Sequence, residues 1–177
     1  MKPLFRNRVE AGRLLVARLA GYAGQEGVVV CGLPRGGVVV AAEVARGLKA
    51  PLEVLVVRRL GLPCQPELAM GAIAPDGVCV LNDDVIDRLD IESDAIGAVH
   101  LNEQRELERR ERLYRGGRLA LTLRSKTAIV VDDGSATGST LHAAIVYLHR
   151  QDVGRLVVAA PVIAAGAWRK LRSLASE

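Results

Sequence analysis

The stretch AIVVDDGSATGST, residues 128–140, limits this chain more than any other. Four apolar residues, Ala128 to Val131, meet two adjacent acids, Asp132 and Asp133, and then a run of glycine, serine, alanine and threonine. A short apolar run rich in β-branched residues predicts a buried parallel strand, 127–133, and the pattern after the loop predicts a helix. Ligands of open α/β sheets bind outside the carboxyl ends of the strands, where both acids fall. Side chains alternate along a strand, so one carboxylate is expected across the sheet top and its neighbour turned away. Two acids at such an end can accept hydrogen bonds from a sugar diol, directly or through Mg²⁺. Gly134, Ser135, Ala136, Thr137, Gly138, Ser139 and Thr140 carry no bulky side chain, so their amides can approach an anion at the positive end of the next helix. Together these features describe a ribose 5-phosphate site. The plain alternative is a Ser/Thr-capped helix with nothing bound. A P-loop is excluded because the loop has no lysine, and Gly134 and Gly138 do not give the dinucleotide spacing.

GLPRGG, residues 32–37, repeats the arrangement: it follows an apolar run, 27–33, and opens a helix pattern, 36–48. Gly36 and Gly37 can expose a row of N–H groups, and Arg35 adds a fork of donors suited to phosphate. A tight strand–helix turn with a solvated arginine is the alternative. A third apolar run, 52–61, predicts one strand and contains Arg58-Arg59. Two anion-type loops, cations and a diol grip suit a ribose with phosphate at one end and pyrophosphate at the other.

The remaining pattern is that of an α/β domain with a central, mostly parallel sheet flanked by helices. Residues 8–22 predict a helix with Val9, Leu14, Leu15, Val16 and Leu19 on its apolar face. Residues 62–67 are a loop holding Cys64; 68–74 and 78–81 form a hairpin about Pro75-Asp76-Gly77. Residues 83–115 predict a polar helix with a thin seam of Ile96, Val99, Leu107 and Tyr114, stopped by Gly116 and Gly117. Glu106/Arg110, Glu108/Arg112 and Glu111/Arg115 stand four apart with the acid first, which supports it. The 83–125 segment is the single compositional break, expected to be a mobile or interface arm. A strand over 155–163 and a helix over about 164–175 complete the chain.

Composition narrows the function. At 177 residues, half of them hydrophobic, one domain over 1–177 is expected. The net charge of +4 is too weak and scattered for DNA, and five aromatics are too few to stack single strands, so no nucleic-acid partner is expected. Cys31, Cys64 and Cys79 form no Cys-x-x-Cys pair and do not cluster with His100, His142 or His149, which argues against zinc and disulfides and fits a cytoplasmic location. No apolar run reaches a membrane span of ~18 residues. Met70 and Trp168 read as packing residues, and His142 as a surface or interface residue.

AIVVDDGSATGST resembles the phosphoribosyl-pyrophosphate (PRPP) motif of the type I phosphoribosyltransferases. LPRGGVVVAAEVA, VLVVRRLGLP, PELAMGAIA and ERRERLYRGGR resemble a bacterial stand-alone subgroup, so the likeness spans nearly the whole chain. It implies a transferase in which a base or amine displaces pyrophosphate from PRPP with Mg²⁺. By the resemblance Asp132 and Asp133 hold the ribose hydroxyls and metal, Gly134 through Thr140 the 5-phosphate, and Arg35, Gly36 and Gly37 the pyrophosphate, with a cis peptide in that loop. Arg58 and Arg59 face the same pyrophosphate, although the subgroup pattern has Arg-Lys there. Asp132, Asp133 and Arg35 would be the catalytic residues, and Tyr114 would belong to a loop that closes over PRPP. A homodimer is usual in the family. Relatives continue some tens of residues further, adding part of the acceptor pocket, so the PRPP half reads as complete and the acceptor half as short. A non-catalytic PRPP- or nucleotide-binding module and an inert scaffold are the competing expectations.

Overall fold

The computed structural model describes residues 4–63, 65 and 68–177. Cys64 lies outside the described residues. A parallel four-stranded sheet has the order β2-β1-β6-β7, with β1 Val28–Gly32, β2 Leu52–Val54, β6 Thr127–Val131 and β7 Arg155–Ala159. Every residue of β1 is buried, as a strand covered on both faces requires. Helices α1 (Arg8–Arg18) and α2 (Gly36–Leu48) cover one face, and α5 (Ser139–Arg150) covers the other. Asn7 caps α1 by accepting from the Glu10 amide at 2.9 Å. A Cβ on Gly12 would lie 2.8 Å from the Val40 carbonyl oxygen, so the glycine lets α1 settle directly on α2. Leu15, Val16 and Leu19 face this core as expected; Leu14 is 53% exposed instead.

A second, antiparallel sheet has the order β3-β4-β5, with β3 Arg58–Gly61, β4 Ala69–Ala74 and β5 Val78–Leu81. β4 and β5 form the expected hairpin, turning through Asp76 and Gly77, both at positive φ. The expected single strand over 52–61 is a correction: it divides into β2 and β3, which belong to different sheets. Leu55 and Val57 enter the core under α5, whereas Val56 enters a separate cluster around Leu60, Met70, Ile73 and Leu107. An unbroken apolar run carries no mark of that change of partner.

The polar segment is also two pieces, α3 (Asp83–Arg88) and α4 (Ser93–Arg115), separated by Asp90 at φ 49°. The thin seam holds: Leu107 is buried, and Ile96, Val99 and Tyr114 pack around its cluster. Gly116, at φ 54°, ends α4 as expected. β7 is shorter than the predicted 155–163, because the chain turns out of the sheet before Pro161; Ile163 then bridges to Ser135. The last helix, α6, spans Ala165–Leu171. Among the described residues no helix is long and apolar enough to cross a membrane.

Candidate functional site

β1 and β6 lie side by side with Gly32 opposite Val131, so the loops that follow them leave the same sheet end together. The Leu33 amide donates to the Val131 carbonyl at 3.0 Å and ties the loops at their roots. The Pro34–Arg35 peptide is cis, as the resemblance implied, and α2 starts immediately after it. The two acids then close on the first turn of α2. A Cβ on Gly37 would lie 2.9 Å from both Cα and Oδ1 of Asp132, and one on Gly36 would overlap the Asp133 carboxylate. Close approach of backbone therefore requires glycine at Gly37, whereas at Gly36 the Cβ would meet only the side chains of Asp133 and Arg8.

This corrects the expected alternation of the two carboxylates. β6 ends at Val131, so Asp132 and Asp133 lie beyond the pleat, and both side chains rest against one helix turn. Burial pushes the Asp132 carboxyl up to about 7, and the neighbouring Asp133 charge adds to the rise; the Asp133 amide, donating to Asp132 Oδ1 at 2.9 Å, opposes it. Asp133 is answered by Arg8 of α1, whose Nε and Nη2 each lie 2.6 Å from Oδ2. Nothing in the sequence pointed to Arg8. It lies 125 residues from its partner, on a helix whose local pattern signals only amphipathicity.

Residues 134–140 keep most of their donors unspent. The Ser135 amide donates to Val162 O at 3.0 Å, and the Ser139 amide makes a long contact of 3.4 Å to Thr137 Oγ1. The amides of Gly134, Ala136, Thr137, Gly138 and Thr140 have no protein acceptor among the described residues. Gly138, at φ 83°, turns the chain into α5 with its Cβ position 3.3 Å from Ala167. A small loop at a helix N-terminus with unspent amides is chemically suited to an anion.

Arg35 is exposed and makes no ion pair among the described residues. Arg58 and Arg59 are adjacent on β3, so their side chains leave on opposite faces. Arg58 turns to α4, where Glu103 accepts from its Nε at 2.6 Å; Arg59 is exposed. Tyr114 is half-buried in the last turn of α4, against the Leu107 cluster. The structure thus brings Asp132, Asp133, Gly36, Gly37 and Arg8 together, and holds Arg58 and Tyr114 to the α4 packing. Met70 is buried as expected, but Trp168 is 47% exposed rather than packed away. His142 is half-buried, and that burial, with Lys170 nearby, lowers its basicity.

No described cluster of three or more histidine, cysteine, aspartate or glutamate residues can hold a metal by itself. The donor set at the acids is two carboxylates, oxygen only. That fits Mg²⁺, which binds through one or two carboxylates when substrate oxygens and water supply the rest.

Comparison with known proteins agrees with this fold. The profile of the phosphoribosyl transferase domain matches residues 6–175. The chain is 50% identical over 159 residues to a Mycobacterium tuberculosis H37Rv protein named "Putative phosphoribosyl transferase Rv0571c", covering 90% of this chain and 36% of that one. It therefore spans about a third of the length of the curated relatives it matches. The crystal structure of TT1426 from Thermus thermophilus superposes with a TM-score of 0.76 at 38% identity, over 97% of this chain and 81% of that one. A purine phosphoribosyltransferase from Pyrococcus horikoshii Ot3 shares the fold, with a TM-score of 0.53 at 17% identity over 90% of this chain and 74% of that one. With a profile match across nearly its whole length, laid over two glycine-lined loops that meet at a pair of acids, the chain belongs to the phosphoribosyl transferase domain family.

Proposed function

We propose that this chain transfers the 5-phosphoribosyl group of PRPP to a nitrogen nucleophile. One observation carries the reading: both carboxylates, the loop 134–140 with five amides lacking an acceptor among the described residues, and the exposed Arg35 gather at one end of the parallel sheet. In this reading Asp132 and Asp133 fix the ribose hydroxyls. The amides of Gly134 to Thr140, with the hydroxyls of Ser135, Thr137, Ser139 and Thr140, hold the 5-phosphate. Arg35 and the first-turn amides of Gly36 and Gly37 hold the pyrophosphate. Arg58, held by Glu103 of α4, and Arg59, on the opposite face of β3, are assigned to the pyrophosphate by the family resemblance alone.

The acceptor nitrogen's lone pair forms a bond to C1 as the C1–oxygen bond breaks, and that bond's electron pair departs with pyrophosphate. The proton of the acceptor passes to solvent. Positive charge grows on the sugar ring, as in glycoside cleavage. The two carboxylates beside the ring stabilise that charge, and Arg35 stabilises the charge on the departing group. Asp132 and Asp133 would hold Mg²⁺, which when bound neutralises part of the pyrophosphate charge.

Incubation of the chain with isotope-labelled PRPP, Mg²⁺ and a panel of bases and amines tests this. Acceptor-dependent release of labelled pyrophosphate is expected. Tight PRPP binding by calorimetry, with no pyrophosphate from any acceptor, would reduce the chain to a PRPP-binding module. No PRPP binding would remove the reading altogether.

A further inference from the structure

We infer that the groove beside Asp133, walled by the N-terminal segment, is the acceptor subsite, and that it takes a flat aromatic ring bearing a carboxylate, which Arg8 reads. This rests on the phosphoribosyl reading of Asp132 and Asp133. The groove measures about 610 Å³ and is lined by Phe5, Arg6, Arg8, Val39, Asp133 and Val162, among others. That is within the usual size range of small-molecule sites, ~300–1,000 Å³.

Its walls are apolar where a ring would lie. Val39 and Val162 are 42% and 48% exposed, two large apolar side chains left uncovered at the rim of a polar site. Phe5, one of only five aromatic residues in the chain, also lines the groove and is half-buried. Asp133 lines this groove and also rests on the first turn of α2. A ring in the groove would therefore lie against the sugar that Asp133 grips.

The polar lining sets the class of ring. Asp133 is the one acid of the lining, and Arg6 and Arg8 supply two guanidinium groups. Arg6 is engaged by Glu10, which accepts from its Nε at 3.0 Å. Among the described residues Arg8 is engaged by Asp133 alone. Once ribose hydroxyls occupy Asp133, Arg8 loses most of that partner and faces the groove with an unspent fork of donors. A guanidinium fork matches a carboxylate in two parallel hydrogen bonds. An amino-bearing neutral ring would find the one acid taken by the sugar and the Asn7 and Val162 oxygens already accepting from the Glu10 and Ser135 amides.

Nicotinate and nicotinamide form a clean pair of probes, because they differ only in carboxylate against amide. Calorimetry on the whole chain saturated with Mg²⁺ and ribose 5-phosphate, which has no pyrophosphate to lose, should show nicotinate binding about tenfold or more tighter than nicotinamide. Arg8→Gln should bring the ratio of the two affinities close to one. Val162→Trp, at an exposed position, should fill the groove and abolish nicotinate binding while the thermal midpoint stays put. Equal affinity for the two probes in the unaltered chain, a ratio unmoved by Arg8→Gln, or nicotinate binding unmoved by Val162→Trp would each overturn the assignment. Failure of the unaltered chain to bind PRPP sinks the phosphoribosyl reading and the subsite with it, so the two failures are told apart by a titration with PRPP alone.

Discussion

The loop pair at the ends of β1 and β6 and the α3–α4 segment are held by opposite means. At the loop pair, glycines bring backbone against backbone, and the charged groups are left with few internal partners. Gly37 leaves no room for a Cβ beside Asp132, and Arg35 has no counter-ion among the described residues. On α4 the reverse holds. Only Leu107 is fully buried in 23 residues, and the rest of the helix is laced with ion pairs: Arg58–Glu103, Arg110–Glu106 and Arg115–Glu111. Exposed ion pairs contribute about 0–1 kcal/mol each, so α4 is held to the body by its seam more than by its charges. Close backbone packing with unspent polar groups is what a ligand site needs. α4 is instead held by a thin apolar seam of Leu107, Ile96, Val99 and Tyr114 beneath a layer of surface ion pairs.

The sharpest way to break the comparison is to remove charge from the loop pair. Asp132→Asn with Asp133→Asn is expected to weaken PRPP binding by about a thousandfold or more, since two charge-assisted contacts are lost. Stability should hardly change, because neither carboxylate belongs to an apolar core cluster. Calorimetry and a thermal melt report the two numbers separately. A double variant that still binds PRPP as tightly as the parent would take the acids out of the site.

On the other region the order of effects should invert. Leu107→Ala is expected to cost about 2–5 kcal/mol by urea unfolding, as for other buried leucines. Amide exchange in α4 should rise more than exchange in β1 or β6. Uniform loosening of the whole chain would show that α4 is no separate layer. Gly37→Ala comes next, at about 1–3 kcal/mol, because its Cβ would press on the Cα of Asp132 and the Val131 carbonyl, both backbone. Gly36→Ala should cost less stability, since the Cβ there meets the movable ends of Asp133 and Arg8. If Gly36→Ala proved the more destabilising of the two, the Arg8–Asp133 pair would be a structural tie rather than an exchangeable one.

What was legible in the sequence was what is locally encoded. β1, β6 and the β4–β5 hairpin announce themselves by β-branched runs and by Asp76-Gly77 in the turn. The two loops do so by glycine at fixed distances from a strand end. Arg8 was invisible because its role is made by α1 packing on α2, which no residue near Arg8 reports. The division of 52–61 was invisible for a related reason: Leu55, Val56 and Val57 are equally apolar, and only the tertiary fold sends them to different cores. Asp90, by contrast, breaks the polar helix at φ 49°, a conformation that aspartate tolerates better than most residues, so a signal was present but weak.

The smallest expected effect concerns α4 alone and separates its charges from those of the loop pair. Glu106 accepts from Arg109 Nε at 2.6 Å and from Arg110 Nε at 2.6 Å. These hydrogen bonds hold its carboxyl down from the ordinary value of 4.5 to about 2. A depressed carboxyl contributes stability that is fully present above its ordinary value and is lost as pH falls towards its folded one. The contribution of Glu106 should therefore be constant from neutral pH to about 4.5 and fade between 4.5 and about 2. Carbon NMR of the Glu106 carboxyl should give a midpoint near 2, and Glu106→Gln should remove that part of the acid sensitivity of amide exchange in α4. Because the pair is exposed, added salt should shift the midpoint back towards the ordinary range. PRPP affinity should not change in Glu106→Gln. If it fell, the charges on α4 would belong to the site, and the division between the two regions would be wrong.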